Sequence, residues 1–180
     1  MSFNLAKLGI KRNIPKIDFR EYTGMFAAPP KFGKTTFATK YPNAVVLATE
    51  VGYRAKVANV KNCFSWDDVV DFIDLLEEYR EEIGDTIQTI VIDTIDEFYK
   101  MAAPYVCRQQ SIKDGGARYK EIKDIPFGQG WNYWDTEVKK QKDRIVNMGF
   151  TLFYLTHTEV KTIKPKHGEA YEVYESTMPD

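Results

Sequence analysis

An eight-residue segment, Ala28-Pro29-Pro30-Lys31-Phe32-Gly33-Lys34-Thr35, constrains this chain more than any other part of its sequence. It matches the phosphate-loop pattern G-x-x-x-x-G-K-[ST] at every defined position except the first, where Ala28 replaces glycine. That replacement costs little if Ala28 has a negative φ. A stretch of mixed apolar and β-prone residues from Phe19 to Ala27 precedes the segment, and a helical pattern from Gly33 to Tyr41 follows it. A strand, a loop and a helix are therefore predicted in this order.

These residue types suit the phosphate groups of a nucleotide. The N–H groups of a loop that enters a helix point at a bound anion, and Gly33 lets the backbone approach it closely. Lys34 adds positive charge over the β- and γ-phosphates, and the Thr35 hydroxyl is a ligand for Mg²⁺. We predict that ATP and Mg²⁺ bind here, with the nucleotide in contact with Pro29, Pro30, Lys31, Phe32, Gly33, Lys34, Thr35 and Thr36. The alternative is an ordinary strand-to-helix turn that contains Gly-Lys-Thr by accident.

Asp93 ends a second apolar run, Thr89–Ile92. The carboxyl ends of parallel strands share one edge of a sheet, so this carboxylate is expected beside the phosphate loop. There it and Thr35 are predicted to hold Mg²⁺, with Asp93 as a Walker B aspartate. The alternative for Asp93 is a helix cap, and we assign Thr94 and Asp96 to supporting or capping roles.

Glu50 follows the apolar run Ala44–Thr49 and is expected at the same edge. Hydrolysis needs a base that orients water for in-line attack on the γ-phosphate, and we predict that Glu50 is this base. Glu97 is the competing candidate, because it lies shortly after Asp93. The alternative for Glu50 is a solvent-exposed glutamate in a loop.

His157 follows a strand predicted from Phe150 to Leu155, again at the ligand-binding edge. We predict that it donates a hydrogen bond to the γ-phosphate and couples the nucleotide state to the segment that follows. With Lys34 and Glu50 it completes the predicted catalytic set. The alternative is a structural histidine at a strand end.

Strands alternate with helices along the rest of the chain. Three more helices are predicted: residues 66–82, which begin at a capping box of Ser65 and Asp68, Ile95–Gln110, and Trp131–Met148, which ends at Gly149. Ser111–Gly130 has the composition of a long surface loop, and residues 158–180 show no clear element. The alternation predicts an α/β fold with a mostly parallel central sheet.

Composition narrows the class of protein. The 180 residues are expected to form one domain, with residues 1–18 as an N-terminal lead-in. A formal net charge of −1 gives no basic surface for nucleic acid or membranes, so an anion site must be local. Two cysteines are too few for a disulfide framework, and no signal peptide or membrane-spanning run is found. These features indicate a cytoplasmic protein.

The motifs resemble those of the RecA-like ATPases, and most closely those of the phage-encoded, Sak-type single-strand annealing proteins. The matching segments are Ala28–Thr35, Leu47–Glu50, Ile90–Asp93 and Tyr154–Glu159. The resemblance implies a three-layer RecA-like core that uses ATP and Mg²⁺, with Glu50 rather than Glu97 as the base. It also implies oligomers, as filaments or rings, and a role in phage recombination, annealing or replication in the host bacterial cytoplasm. The last strands of such a core are expected beyond Asp180.

By the same resemblance, residues 108–130 and 158–172 occupy the places of two loops that bind single-stranded DNA. Between Arg108 and Arg144 nine basic residues stand against six acidic ones, which is a mild bias. The predicted nucleic-acid contacts are Arg118, Lys120, Phe127, Lys161, Lys164 and Lys166, and a single-strand-binding protein is a possible partner. The alternative is ordinary solvated loops. Two other functions stay open, a P-loop kinase of a small metabolite or nucleotide, and a nucleotide-gated interaction protein with little turnover.

Overall fold

The computed structural model describes Asp18 and residues 22–50 and 58–177. Apart from Asp18, the predicted N-terminal lead-in lies outside these ranges, as do residues 178–180. In chain order the elements are β1 (Gly24–Ala28), α1 (Lys34–Ala38), β2 (Ala44–Ala48), β3 (Asn59–Asn62), α2 (Trp66–Glu78), α3 (Arg80–Ile83), β4 (Thr89–Asp93), α4 (Ile95–Lys113), α5 (Gln129–Asn147), β5 (Thr151–Ile163) and β6 (Tyr171–Ser176).

Five of the strands form a parallel sheet in the order β1-β5-β4-β2-β3. β6 is the antiparallel partner of the outer part of β5. β5 therefore lies between β1, which leads into the phosphate loop, and β4, which carries Asp93. The predicted α/β fold with a mostly parallel central sheet is confirmed.

Alternating side chains along the strands divide the core between the two faces of the sheet. On one face, Val46, Val91 and Phe153 pack with Ala38 of α1. On the other face α2, α4 and α5 form the larger cluster, which includes Trp66, Ile73, Phe98, Ala102, Val138 and Ile145. Helices on both faces of the sheet give the three layers that were predicted.

The helix predicted over 66–82 begins as expected but is not continuous. The Ser65 hydroxyl accepts from the Asp68 amide at 3.2 Å, and the Asp68 carboxylate accepts from the Ser65 amide at 2.9 Å, which completes the capping box. α2 ends at Glu78, because Tyr79 leaves the helical conformation with φ −97° and ψ 16°. The next short helix, α3, is attached to the residue that follows α5, because Nε of Arg80 donates to the Met148 carbonyl at 2.6 Å.

The long surface loop predicted over Ser111–Gly130 is wrong. α4 continues to Lys113, and two short 3₁₀ turns, Ile122–Asp124 and Pro126–Gly128, precede α5. Ile122 and Ile125 are buried in a cluster with Val106 and Cys107 of α4. The many glycines and charges of this segment obscured two isoleucines that anchor it to the helices.

Residues 158–176, for which no clear element was predicted, form a β-hairpin. β5 does not stop at Leu155 but continues through His157 to Ile163, and it pairs with β6 from Thr158↔Ser176 to Ile163↔Tyr171. This hairpin, residues 158–176, is called the arm below. Its side chains are mostly exposed, so neither face has the strong apolar alternation by which strands are predicted.

Both cysteines, Cys63 and Cys107, are buried free thiols. Burial raises the pKa of the Cys63 thiol to about 11, so it is protonated at neutral pH. Among the residues that the structure describes, no helix is long and apolar enough to span a bilayer.

Candidate nucleotide-binding site

Strand alternation and register bring polar residues from two strands, β4 and β5, to one face of the sheet at its carboxyl edge. Ala28 is level with His157 across β1 and β5, and Asp93 is level with Leu155 across β4 and β5. Val91 and Leu155 pack on the face that α1 covers. Two residues further along each strand, Asp93 and His157 face the same side, toward the phosphate loop.

Lys34 lies at the centre of this group and is only 6% exposed. Its Nζ donates to the carbonyl oxygens of Ala28 at 2.7 Å and Pro29 at 3.1 Å. A third contact joins Nζ to Nδ1 of His157 at 3.0 Å. As an ammonium Lys34 can only donate, so Nδ1 of His157 accepts, and the remaining ring proton is on Nε2.

Burial lowers the pKa of Lys34 below its usual value, because the charged form loses hydration. Three carboxylates oppose this shift, in decreasing order Asp93, Asp96 and Glu50. The direct partners of Lys34 are two carbonyl oxygens and a ring nitrogen, so the ammonium can exchange a neutral acceptor for a charged phosphate oxygen.

The loop ahead of Lys34 is exposed and contains two residues with positive φ, Lys31 at 65° and Gly33 at 91°. A side chain on Gly33 would meet no atom within 4 Å, so glycine is needed here for its backbone conformation and not for space. Ala28 is the last residue of β1 and has no positive φ. Its substitution for the usual glycine is therefore conformationally mild.

Thr35 and Asp93 are in direct contact, with the Thr35 hydroxyl donating to Oδ2 of Asp93 at 2.7 Å. Asp93 is 9% exposed. A hydroxyl and a carboxylate oxygen at this separation are hard oxygen donors of the kind that Mg²⁺ takes in nucleotide sites. The two side chains predicted to hold the metal thus fit one ion.

Thr49, which was not predicted as a site residue, forms hydrogen bonds with the backbone of Asp93 and Thr94. Its hydroxyl donates to the Asp93 carbonyl at 3.1 Å and accepts from the Thr94 amide at 2.9 Å. The hydroxyl of Thr94 is itself buried and has no hydrogen-bond partner among the described residues. Because Thr49 ends an apolar strand, its sequence context gave no sign of a contact 45 residues away.

The two candidate bases are less buried than Lys34 and Asp93. Glu50 is exposed, two residues after β2, and it is close enough to Lys34 to influence its pKa. Glu97 is half-buried in the first turn of α4 and forms an ion pair with Lys100 at 2.6 Å. The structure places Glu50 in the electrostatic surroundings of Lys34 and shows Glu97 held by a neighbouring cation.

Asp96 is 4% exposed and holds two consecutive residues of β5. Its Oδ1 accepts from the Thr156 hydroxyl at 2.8 Å, and its Oδ2 accepts from the His157 amide at 3.2 Å. From the sequence, only a general supporting or capping role is predicted for Asp96. No local pattern connects α4 with a strand that follows 60 residues later.

Over residues 20–180 the chain matches the AAA domain family. The chain belongs to this family of P-loop ATPases. It is also similar to the SPbeta prophage-derived uncharacterized protein YorG of Bacillus subtilis (strain 168), with 30% identity over 142 residues. That match covers 77% of this chain and 40% of YorG, so the chain spans well under half the length of this curated relative.

In this AAA domain, the first group of predicted nucleic-acid contacts lies between α4 and α5. Arg118 and Lys120 are exposed, and Phe127 is 96% exposed in the turn before α5. Trp131, one turn further on, is also exposed. The segment 108–130 is not one loop, because α4 and the two anchored turns occupy much of it.

The second group, Lys161, Lys164 and Lys166, lies on the arm of the AAA domain. The predicted loop 158–172 is mainly the paired strands of this arm, with a turn over 164–170. Lys161 forms an ion pair with Glu175 at 2.9 Å, whereas Lys164 and Lys166 are exposed in the turn. The pairing partly neutralises Lys161.

Proposed function

We propose that this AAA domain hydrolyses ATP with Mg²⁺, and that it is the core of a Sak-type, RecA-like phage protein that acts on single-stranded DNA. The observation that carries the ATPase proposal is the position of Lys34, buried between two loop carbonyls and His157 beside the Thr35–Asp93 pair. Family membership and the similarity to a prophage-derived protein support it.

Binding exchanges the partners of Lys34. Its three donors now meet the carbonyls of Ala28 and Pro29 and the ring of His157. Phosphate oxygens are charged acceptors, and hydrogen bonds between two charged groups are stronger than those to neutral carbonyls. In a pocket where Lys34 is shielded from water, this difference is larger than at an exposed site. Lys34 therefore binds the β- and γ-phosphates of ATP in preference to its resting partners.

Thr35 and Asp93 hold Mg²⁺, which when bound neutralises charge on the phosphate oxygens. The Thr35 hydroxyl proton points at Asp93 in the contact at 2.7 Å, so a lone pair of the same oxygen stays free for a ligand. Thr49 keeps the backbone at Asp93 and Thr94 in place through its two hydrogen bonds. The pair is thus oriented before a nucleotide arrives.

Glu50 accepts a proton from the water that attacks the γ-phosphate, and it orients that water in line with the bond that breaks. Its exposure leaves the carboxylate accessible to water. Once Lys34 turns to phosphate, the ring of His157 is released from it. The Nε2–H of His157 then serves as a hydrogen-bond donor near the γ-phosphate.

The DNA-binding part of the proposal rests on exposed groups of suitable chemistry. Phe127 and Trp131 offer aromatic faces on which bases stack, at ~1–3 kcal/mol per base, and Arg118 and Lys120 supply charge nearby. Lys164 and Lys166 add positive charge at the turn of the arm. We propose that both groups contact one strand of DNA and that the chain acts as a filament or ring in the host cytoplasm, with a single-strand-binding protein as partner.

The test is the ATPase rate of the purified protein with and without single-stranded DNA. Binding is followed separately by the fluorescence anisotropy of a labelled poly-dT oligonucleotide at low and at moderate salt. We expect Mg²⁺-dependent turnover that DNA stimulates, and binding that weakens as salt rises. Phe127→Ala should weaken binding at all salt concentrations, whereas Lys164→Ala should reduce the salt dependence.

Each part of the proposal has its own contrary outcome. Turnover without any response to DNA, and no anisotropy change at low salt, would remove the DNA-binding role and leave an ATPase. Consumption of ATP only when a small acceptor is added would identify a kinase instead. Nucleotide binding without turnover would indicate a nucleotide-gated interaction protein.

A further inference from the structure

Asp96 is a buried carboxylate that the proposed chemistry does not use. It lies in the first turn of α4, three residues after Asp93, and is 4% exposed. A buried carboxylate is costly unless it is hydrogen-bonded. Both oxygens of Asp96 are satisfied by β5, through the hydroxyl of Thr156 and the amide of His157.

The contact reaches His157 through its backbone because the ring lies on the other side of the sheet. Thr156 faces the layer that contains α4, since its strand neighbours Leu152 and Tyr154 pack with that layer. Successive side chains of a strand point to opposite faces, so the ring of His157 projects toward the phosphate loop. Asp96 therefore contacts the backbone of His157 from the face of the sheet opposite to the imidazole, and it does not touch the ring.

The same two residues are held from the base of the arm. The Thr156 hydroxyl lies 3.1 Å from the Ser176 hydroxyl. The His157 carbonyl accepts from the Thr177 amide at 3.0 Å and from its hydroxyl at 3.2 Å. With Lys34 on the ring, every polar group of His157 except Nε2 has a partner among these residues. This stretch of β5 is thus fixed in position on both faces of the sheet.

We propose that Asp96 is a positioning residue, which sets the height of the His157 imidazole over Lys34 by holding the Thr156 hydroxyl and the His157 amide. The consequence for turnover rests on the proposed function, because it needs ATP in the pocket. The consequence for the imidazole does not, because the contact between His157 and Lys34 exists without nucleotide. The two consequences are measured separately.

The first experiment measures the imidazole of His157 by ¹⁵N NMR in the nucleotide-free chain. The sequence contains two histidines, so His167→Gln leaves His157 as the only signal. In this background we expect a neutral ring with its proton on Nε2, because Nδ1 accepts from Lys34. Lys34→Met provides the reference for a ring without that contact.

In the same background, Asp96→Asn keeps the size of the side chain but leaves one oxygen to accept and places an NH₂ group against the other donor. We expect the Nδ1 and Nε2 signals to move at least halfway to the values of Lys34→Met. Glu97→Gln removes the same charge one residue further along α4 and should leave both signals in place. Unchanged His157 signals in folded Asp96→Asn would overturn the proposal.

Thr156→Val keeps the shape of Thr156 and removes only the hydroxyl that donates to Asp96, so it serves if Asp96→Asn does not fold. We expect the same direction of change, and Thr156→Ser should restore the wild-type signals. A shift in Thr156→Val that Thr156→Ser does not reverse would contradict the proposal, since the hydroxyl would then not be the cause.

The second experiment measures turnover and ADP affinity. We expect Asp96→Asn to lower kcat about tenfold or more with ADP affinity within about twofold of wild type, because a displaced ring affects the γ-phosphate alone. Combined with His157→Ala it should add no further loss. Independent, multiplicative losses would overturn the proposal. Absence of turnover in the wild type would refute the proposed function, and the NMR result would still decide the role of Asp96.

Discussion

Lys34 and Asp93 lie buried at the carboxyl edge of the sheet and their side chains are hydrogen-bonded, whereas the candidate bases Glu50 and Glu97 are less buried. Lys34 has three partners, and Asp93 contacts Thr35 at 2.7 Å. Glu50 is exposed. The half of the site that would bind phosphate is oriented by the sheet, and the half that would activate water is not. We infer that binding and hydrolysis can be separated by mutation.

Removing the charge at the centre of the buried half should have the largest effect. We expect Lys34→Ala to abolish measurable ATP turnover and to weaken nucleotide binding by ~10-fold or more, since charge-assisted hydrogen bonds of ~1.5–3 kcal/mol are lost. Lys40→Ala, an exposed lysine just after α1, should behave as wild type. Turnover assays and titration with a fluorescent ADP analogue give both quantities. Normal turnover in Lys34→Ala would show that the phosphate loop is misassigned.

Mutation of the residue that activates water should change the rate of ATP hydrolysis and not the affinity for ATP. Glu50→Gln should lower kcat at least ~10²-fold, within the usual range for a positioned general base, and leave ATP affinity close to wild type. Glu97→Gln loses the ion pair with Lys100 and should change kcat little. If Glu97→Gln shows the large loss and Glu50→Gln does not, the base is Glu97 and the contrast between the two halves disappears.

The phosphate loop, which joins β1 to α1, allows a finer test. Gly33 has φ 91°, and an added side chain would meet no atom within 4 Å. Gly33→Ala should therefore cost only the conformational penalty of the left-handed region, ~1–2 kcal/mol, as either lower stability or about tenfold weaker nucleotide binding. Gly33→Asn should cost less, because asparagine tolerates this conformation better. Equal losses in the two variants would point to a clash with the nucleotide instead.

The smallest effect is expected far from the pocket. Ser65→Ala removes the hydroxyl of the α2 capping box and should lower the free energy of unfolding by ~1 kcal/mol in urea denaturation. ATP turnover at urea concentrations below the unfolding transition should not change. Asp71→Ala, on the exposed side of the same helix, is the matched control. A change of kcat in Ser65→Ala would mean that the site depends on the stability of this distant helix.

The sequence was most informative where one element carries its own signal. β4 was predicted with its observed bounds, since Thr89–Asp93 is an uninterrupted apolar run that ends on a carboxylate. The capping box at Ser65 was found because its two partners are three residues apart. The phosphate loop was found in the same way. Short-range patterns of this kind need no knowledge of tertiary structure.

What was missed depends on contacts between distant segments. The break at Tyr79 accompanies the hydrogen bond from Arg80 to the Met148 carbonyl. Ile122 and Ile125 are buried because they pack against α4. The side chains of the arm are exposed on both faces, so its sequence shows only a weak apolar alternation. The hairpin is nevertheless formed by the pairing of β5 with β6. The role of Asp96 became visible only when α4 and β5 were placed side by side.

β5 takes part in two sheets without interruption, and His157 is the residue at which one sheet ends and the other begins. Up to and including His157, five residue pairs join the strand to β1, and beyond it six pairs join the strand to β6. A slip by one residue would turn the imidazole to the opposite face, and a slip by two would move it ~6.6 Å along the strand. The register of β5 in its two pairings therefore decides whether the imidazole faces the phosphate loop at all.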